Sequence, residues 1–360
     1  MKEKTRREFL KKGSLAFAAT GILGACSSEN SKSSPSAISN QNYEWRMVTT
    51  WPPHYPILGE GADRFAKVVG EMSNGRLKIQ VYGGGELVPS LEVFDAVSQG
   101  VAECGHGASY YWAGKAPATQ FFTSIPFGMD AEQTYAWLNF GGGMELWKEL
   151  YLQFNLVPFP CGNTGKQMGG WYNRKIESVS DLQGLKIRIP GIGAKIINKS
   201  GGTAVLSAAG EIYTNLERGV IDATEWIGPY HDWLMGFHKI AKYYYYPSFS
   251  EKQGVMELII NKSAFESLPA DLQQIVAIAA EHENLKMLTE FNTKNSEYLQ
   301  KMKTESDAEI IRFPEEVWRS FQKYAGESVE EIAESDAFSR KVYDSYSSFM
   351  KKISGWSELV

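Results

Sequence analysis

The chain is poor in cysteine, in histidine and in long apolar runs, and each shortage closes off a class of protein. Three cysteines in 360 residues cannot build a disulfide scaffold. The five histidines (His54, His106, His231, His238 and His282) are scattered without metal-ligand spacing. G-x-S-x-G, a P-loop and H-E-x-x-H are all missing, and with them the common signatures of hydrolases, nucleotide enzymes and zinc proteases. Past residue 26 there is no basic tract, which argues against nucleic-acid binding. Nor is any apolar run there long enough to span a bilayer. Two glycine triplets, Gly83–Gly85 and Gly141–Gly143, lack a dinucleotide-binding arrangement and read as turns.

What is present is ordinary globular composition, 43% hydrophobic and 22% charged, in a chain long enough for two domains. The first residues read as an export signal. Thr5-Arg6-Arg7-Glu8-Phe9-Leu10-Lys11 is a twin-arginine pattern, an apolar run follows over 15–23, and Leu23-Gly24-Ala25-Cys26 matches a lipoprotein cleavage box. We therefore expect a Tat-type lipoprotein signal over 1–26, lipid on Cys26, and a Ser/Asn-rich tether over 27–44. Residues 1–26 carry six Lys/Arg and two acids. Their removal leaves 31 basic and 40 acidic side chains, net −9. Only Cys104 and Cys161 then remain. Export permits a disulfide between them, and two buried free thiols fit the sequence equally well.

From residue 45 onward, strand and helix patterns alternate, the mark of an α/β sheet with crossover helices. Strands are expected over 45–51 and 77–82, and helices over 59–72 and 91–99, the latter closed by Gly100. A second unit begins near 156, with strands over 168–173, 185–189 and 203–206 and a helix over 211–218 closed by Gly219. After a strand over 256–261, helical pattern runs to the end, opened by Ser267 as N-cap and Pro269 in the first turn. FDAVSQGVAECGHG (94–107) and YTNLERGVIDATEW (213–226) share one plan: aromatic, helix, Gly, Val, short strand, polar exit. Identity is confined to Gly and Val, so the echo is either chance or one such unit in each of two lobes, whose strand ends would face each other across a cleft. The expected division is 45–160 for lobe 1, 161–250 for lobe 2, and 251–360 for a return to lobe 1 plus C-terminal helices. Phe338, Val342, Tyr346, Phe349 and Ile353 form an apolar helical stripe, for its own chain or a partner to cover.

Four stretches could carry chemistry. In DLQGLKIRIPG (181–191), period-two alternation puts Lys186 and Arg188 on one strand face, and Arg188 is either a solvated edge charge or a cation aimed into a cavity. GNTGKQMGGWYN (162–173) packs glycines around Gln167 and Trp171, as a hinge or a close approach of backbone to ligand would require. In IDATEWIGPYHDW (221–233), Glu225 ends a short apolar strand, where a carboxylate needs a partner; a helix N-terminal acid is the other reading. YYYYPSFSEKQG (243–254) has four tyrosines suited to core packing, then Glu251 in a polar loop.

These segments, with VYGGGELVPSLEVFDAVSQG (81–100) and YYWAGKAPATQFFTSIPFGM (110–129), together resemble the solute-binding proteins of tripartite ATP-independent periplasmic (TRAP) transporters, in the α-keto-acid-binding branch. The resemblance runs from about Trp45 to Trp356. It implies an α/β, two-lobed periplasmic-binding-protein-like fold with a ligand cleft between the lobes and a helical C-terminal region. Arg188 matches the arginine that pairs with the ligand carboxylate, a role suited to a planar fork that never loses its charge. Gln167, Glu225, the Trp226 carbonyl and Glu251 match the ligands of a metal cation, sodium or alternatively calcium; all offer oxygen, as a hard cation requires. With a monoanionic acid bound, a monovalent ion leaves this set one charge negative and a divalent ion makes it neutral. Trp51, Tyr110, Tyr111 and Asn163 match pocket walls. Bulky walls favour a small 2-oxo or 2-hydroxy acid such as pyruvate. The helix over 337–354 resembles the one through which members of the branch dimerise.

The expected function is thus a periplasmic, lipid-anchored receptor that hands a small acid to integral-membrane permease subunits, with no catalytic residue. The alternatives are an exported enzyme using Glu225 and Glu251 as an acid–base pair, which lacks a nucleophile, and a sensor presenting ligand to a signalling partner.

Overall fold

The computed structural model describes residues 41–357; the twin-arginine pattern, Cys26 and the tether up to residue 40 lie outside the described residues. Along the chain the strands are β1 (Tyr43–Thr49), β2 (Leu77–Tyr82), β3 (Cys104–Gly107), β4 (Leu156–Asn163), β5 (Gly170–Tyr172), β6 (Lys186–Arg188), β7 (Thr203–Val205), β8 (Ala223–Thr224), β9 (Tyr243–Tyr246), β10 (Val255–Asn261) and β11 (Glu309–Arg312). They form two sheets, ordered β2-β1-β3-β10-β4 and β11-β9-β5-β8-β6-β7, one in each lobe.

The topology explains where a ligand would sit. β1 runs parallel to β2 and β3, and β6 parallel to β7 and β8. Each sheet has one reversed strand, β10 in the first and β5 in the second. These are the strands that begin just after the chain crosses between lobes. β4 ends at Asn163 and β9 at Tyr246, each running into a crossing, so the next strand starts at the cleft and must run away from it. The cleft therefore gathers the carboxyl ends of β1, β3, β6, β8 and β9 and both crossings, the position where open α/β sheets bind ligands.

The sequence patterns place the cores. VMELIIN in β10 is buried at every residue, as a continuous apolar run in a sheet centre should be. In lobe 1, Phe122 stacks on Trp147 (5.1 Å, 2°), beside Trp137. In lobe 2, Trp171 stacks on Tyr244 (4.2 Å, 15°). Of the four tyrosines, Tyr244 and Tyr245 are fully buried and Tyr246 is exposed. The helices Val93–Ser98 and Ile212–Glu217 are followed by Gly100 (φ 76°) and Gly219 (φ 69°), then by β3 and β8, so the echo in the sequence is an echo in structure.

Several local expectations change. Ser267 does not cap the long helix: it ends the helix Lys262–Ser267, its hydroxyl bonds the Ala264 carbonyl, and the next helix starts at Ala270 behind Pro269. That helix, Ala270–Glu305, is 36 residues long and touches both lobes through β4 and the helix Pro229–Leu234. The tail is not all helical either. β11 pairs parallel to β9 and so extends the second sheet, and the helix Glu315–Glu334 packs on the lobe 2 helix Gly191–Lys199. Four residues of alternation between two long helices are too short a pattern to stand out. Cys104 and Cys161 are both buried and free. In the helix Ala337–Ser357, Val342 and Tyr346 are buried against lobe 1, and the Tyr346 hydroxyl accepts the Met129 N–H at 2.7 Å. Phe338, Phe349 and Ile353 remain half-buried.

Candidate ligand-binding site

Arg188 and Lys186 share a strand face but not an environment. Lys186 is exposed, whereas Arg188 is 1% exposed. Arg188 ends β6 opposite Thr224, which places its side chain beside the end of β8. Its Nη1 donates to the Glu225 carbonyl at 3.2 Å, and its Nε and Nη2 reach the Ser207 carbonyl at 3.4 Å. The guanidinium lies 5.0 Å from the Trp226 ring centroid, and the Tyr111 hydroxyl interacts with it. Among the described residues no carboxylate lies within ion-pair distance of Arg188. A buried cation held by neutral carbonyls and an aromatic face is incomplete without an anion.

Glu225 supplies the second half of the site. It follows β8 and lies outside the helix Pro229–Leu234, whose N-cap is Gly228, so the reading as a helix N-terminal acid does not hold. The residue is fully buried and neither carboxyl oxygen has a hydrogen-bond partner. Burial and the nearby Glu251 push its pKa well above the usual carboxylate range, against the opposing pull of Arg188. Gly170 makes this approach possible. Its φ is +100°, and a Cβ there would sit 2.5 Å from the Thr224 carbonyl oxygen and 3.1 Å from the Glu225 Cα.

Gln167 and Glu251 come from the two crossings. The Gln167 amide nitrogen donates to Glu251 Oε2 at 2.8 Å and to Thr164 Oγ1 at 2.9 Å, leaving Oε1 buried and unpartnered. Glu251 is 4% exposed, not solvated as its loop composition suggests. Burial raises its pKa, opposed first by the Gln167 hydrogen bond. Two carboxylates and one amide oxygen, three of their atoms orphaned, form a donor set of hard oxygens that a cation would satisfy. Glu225, Glu251 and Gln167 are the side chains that would hold it, and the ion would supply charge for a chelating acid. Among the described residues no group of three or more His, Cys, Asp or Glu is assembled.

Lobe 1 faces this set with aromatic rings. Tyr110 and Tyr111 follow β3 on a short turn and meet at 4.8 Å. Gly191, which opens the lobe 2 helix, lies against Tyr110, with 3.3 Å left for a Cβ. Trp51 stands behind: its ring is 6.3 Å from Tyr111 and its N–H donates to His106 Nδ1 at 2.8 Å. Asn163 is fully buried at the first crossing. Its amide donates to Gln253 and its Oδ1 accepts the Gly165 N–H at 2.8 Å. Other contributors carry no side-chain signature in sequence. Ser207 acts through its carbonyl, and Thr164 orients Gln167. Asp232, pushed up to about 7 by burial, takes the Trp171 N–H and Tyr244 hydroxyl beneath the site.

Two α/β lobes, two crossings, and a buried guanidinium at facing strand ends fit an extracytoplasmic solute-binding protein, a receptor rather than an enzyme. Residues 47–336 match the model for the bacterial extracellular solute-binding proteins, family 7, and the chain belongs to that family. It is 42% identical over 356 residues to a monocarboxylate 2-oxoacid-binding periplasmic protein of Nostoc sp. (strain PCC 7120), covering 98% of this chain and 96% of that one. Among solved structures it is similar to a TRAP periplasmic solute-binding protein from Pseudoalteromonas atlantica with bound sodium and pyruvate. That match has a TM-score of 0.87 and 40% identity, covering 89% of this chain and 97% of that one. A counterpart from Colwellia psychrerythraea with bound calcium and pyruvate matches at TM-score 0.86 and 40% identity, with the same coverage.

Proposed function

We propose that the chain is the solute receptor of a TRAP-type transporter for a small 2-oxo or 2-hydroxy monocarboxylate such as pyruvate, which it hands to membrane permease subunits. Arg188 clamps the carboxylate, and a cation held by Glu225, Glu251, Gln167 Oε1 and the Trp226 carbonyl completes the site. The observation that carries this reading is the pairing of a buried Arg188 lacking a carboxylate with a buried Glu225 whose two oxygens lack donors. One group asks for an anion and the other for a cation. A 2-oxo acid brings the anion and a second oxygen able to chelate. Sodium and calcium, found in the similar pyruvate-bound structures, both suit the oxygen set. Tyr110, Tyr111, Trp51 and Asn163 bound the cleft from the first lobe and the crossing and restrict ligand length. Titration with pyruvate, lactate and malate tests the assignment. Binding of pyruvate or lactate in preference to malate supports it, and tight malate binding with no pyruvate binding refutes it.

Lipid anchoring at Cys26 and dimerisation through the helix over 337–354 belong to the same reading. The half-buried Phe338, Phe349 and Ile353, with exposed Trp356 (65%) and Phe140 (90%), offer apolar surface to a second copy. Sedimentation of the soluble domain checks this, with a dimer expected at tens of micromolar.

A further inference from the structure

The segment Pro52-Pro53-His54-Tyr55-Pro56-Ile57 joins β1 to the helix Leu58–Met72 and belongs to lobe 1. Two of its residues adopt left-handed backbone without being glycine: His54 (φ 51°) and the β-branched, fully buried Ile57 (φ 58°). Such conformations persist only where surroundings over-determine them, and they concentrate at clamps and switches. Here the surroundings are short local bonds. Tyr55 N–H donates to the Pro52 carbonyl at 3.1 Å, and Gly59 and Glu60 N–H groups both donate to the Tyr55 carbonyl, at 2.8 and 3.0 Å. Ile57 N–H donates to Glu60 Oε2 at 3.0 Å. Three prolines remove most of the remaining freedom.

This rigid strap touches lobe 2 at two polar points. Trp226 Nε1 donates to the Tyr55 hydroxyl at 3.1 Å, and His231 Nε2 donates to the Pro56 carbonyl at 2.7 Å. The Tyr55 ring packs edge-on against His231 at 4.9 Å and Trp226 at 6.2 Å. All three are buried. Burial holds His231 neutral, down to about 3, so its bond persists through the physiological range. Trp226 is also the ring beneath the Arg188 guanidinium. One indole thus joins the anion clamp of lobe 2 to the strap of lobe 1.

We propose that the Trp226–Tyr55 hydrogen bond is the latch that couples occupancy of the Arg188 clamp to closure of the lobes, with Tyr55 as a positioning residue that never touches the ligand. When lobe 2 swings away, Trp226 Nε1 loses Tyr55 and its ring is no longer fixed under the guanidinium. When an acid settles on Arg188, it favours the arrangement in which the indole is fixed, and hence the closed lobes. Linkage makes the effect reciprocal: what stabilises closure must also tighten binding of the acid, and a bond made only in the closed form resists reopening, so the effect falls on escape. Strap strain serves this arrangement by presenting the Tyr55 hydroxyl and Pro56 carbonyl in a geometry that need not be found at each closure.

The proposal rests on the 2-oxo-acid reading, and stopped-flow kinetics with pyruvate on the soluble protein separate the two. If the parent protein shows no pyruvate binding, the ligand assignment fails and the latch fails as stated with it. If the parent binds, Tyr55→Phe should raise the dissociation rate about tenfold while leaving association within about twofold, because it orphans one buried donor yet keeps the ring. Trp226→Phe removes the same hydrogen bond from the other side and should also speed dissociation, which covers a folding failure of the first variant. In the Trp226→Phe background, Tyr55→Phe should add less than about twofold. A parental dissociation rate in Tyr55→Phe, or full additivity in the double variant, overturns the latch and leaves Tyr55 as packing alone.

Discussion

The two lobes are built on one local plan and equip the cleft oppositely. In each, a short helix ends at a glycine with positive φ and a strand then runs to the cleft, β3 to the aromatic pair Tyr110–Tyr111 and β8 to Glu225. Lobe 2, with the crossings, brings buried Arg188, Glu225 and Glu251 to the cleft, with orphaned oxygens on Glu225 and Gln167. Lobe 1 carries rings and the strap. The two lobes divide the labour. Arg188 and Glu225, both buried, sit on one lobe. The opposing lobe meets them with the Tyr110 and Tyr111 rings, so in the proposed receptor the charged set is together before the lobes close.

The largest effect should come from the charged side. Arg188→Ala should weaken pyruvate binding at least about a hundredfold, near 3 kcal/mol, because a desolvated carboxylate loses the guanidinium that pairs with it; calorimetric titration reads it, with the far-ultraviolet spectrum unchanged. Glu225→Gln should follow, at roughly tenfold to a hundredfold, and the remaining affinity should respond less to sodium or calcium. On the aromatic side, Tyr111→Phe removes one hydroxyl near Arg188 and should cost only about two- to tenfold. If Tyr111→Phe matched Arg188→Ala, the division between lobes would be broken.

The smallest effect on binding should come from Glu257, buried in lobe 1 away from the charged set. Its Oε1 accepts the Trp112 N–H, its Oε2 accepts the Tyr151 hydroxyl at 2.8 Å, and burial pushes it up to about 7. The folded state therefore holds a proton that the unfolded chain releases near its ordinary value of about 4.3. Between those values the folded form binds more protons, so this group makes stability fall as pH rises, by up to about 1.4 kcal/mol per pH unit. Glu257→Gln should flatten that slope in thermal unfolding between pH 5 and pH 7 and leave pyruvate affinity unchanged.

Much of the architecture was legible in sequence because strand and helix periods are local. The echo of 94–107 in 213–226 already marked the two strand ends that face the cleft. Periodicity could not separate Lys186 from Arg188. Both occupy one face, and burial differs because Arg188 lies at the strand's cleft end, against the Trp226 ring and the Ser207 carbonyl. Resemblance to a family supplied that distinction. Glu251 was illegible for the same reason: its loop is polar, yet the crossing folds it onto Gln167. Tyr55 and Ser207 left no trace, since one acts through a contact 171 residues away and the other through a backbone oxygen. β11 was hidden between two helices.

In the proposed receptor, acid and cation enter one site together. Its most direct test is calorimetric titration of pyruvate into chelator-treated protein in a buffer free of sodium and divalent ions, repeated after adding sodium or calcium. Weak or no binding is expected in the first titration and recovered affinity in the second. Equal affinity in both would contradict joint entry.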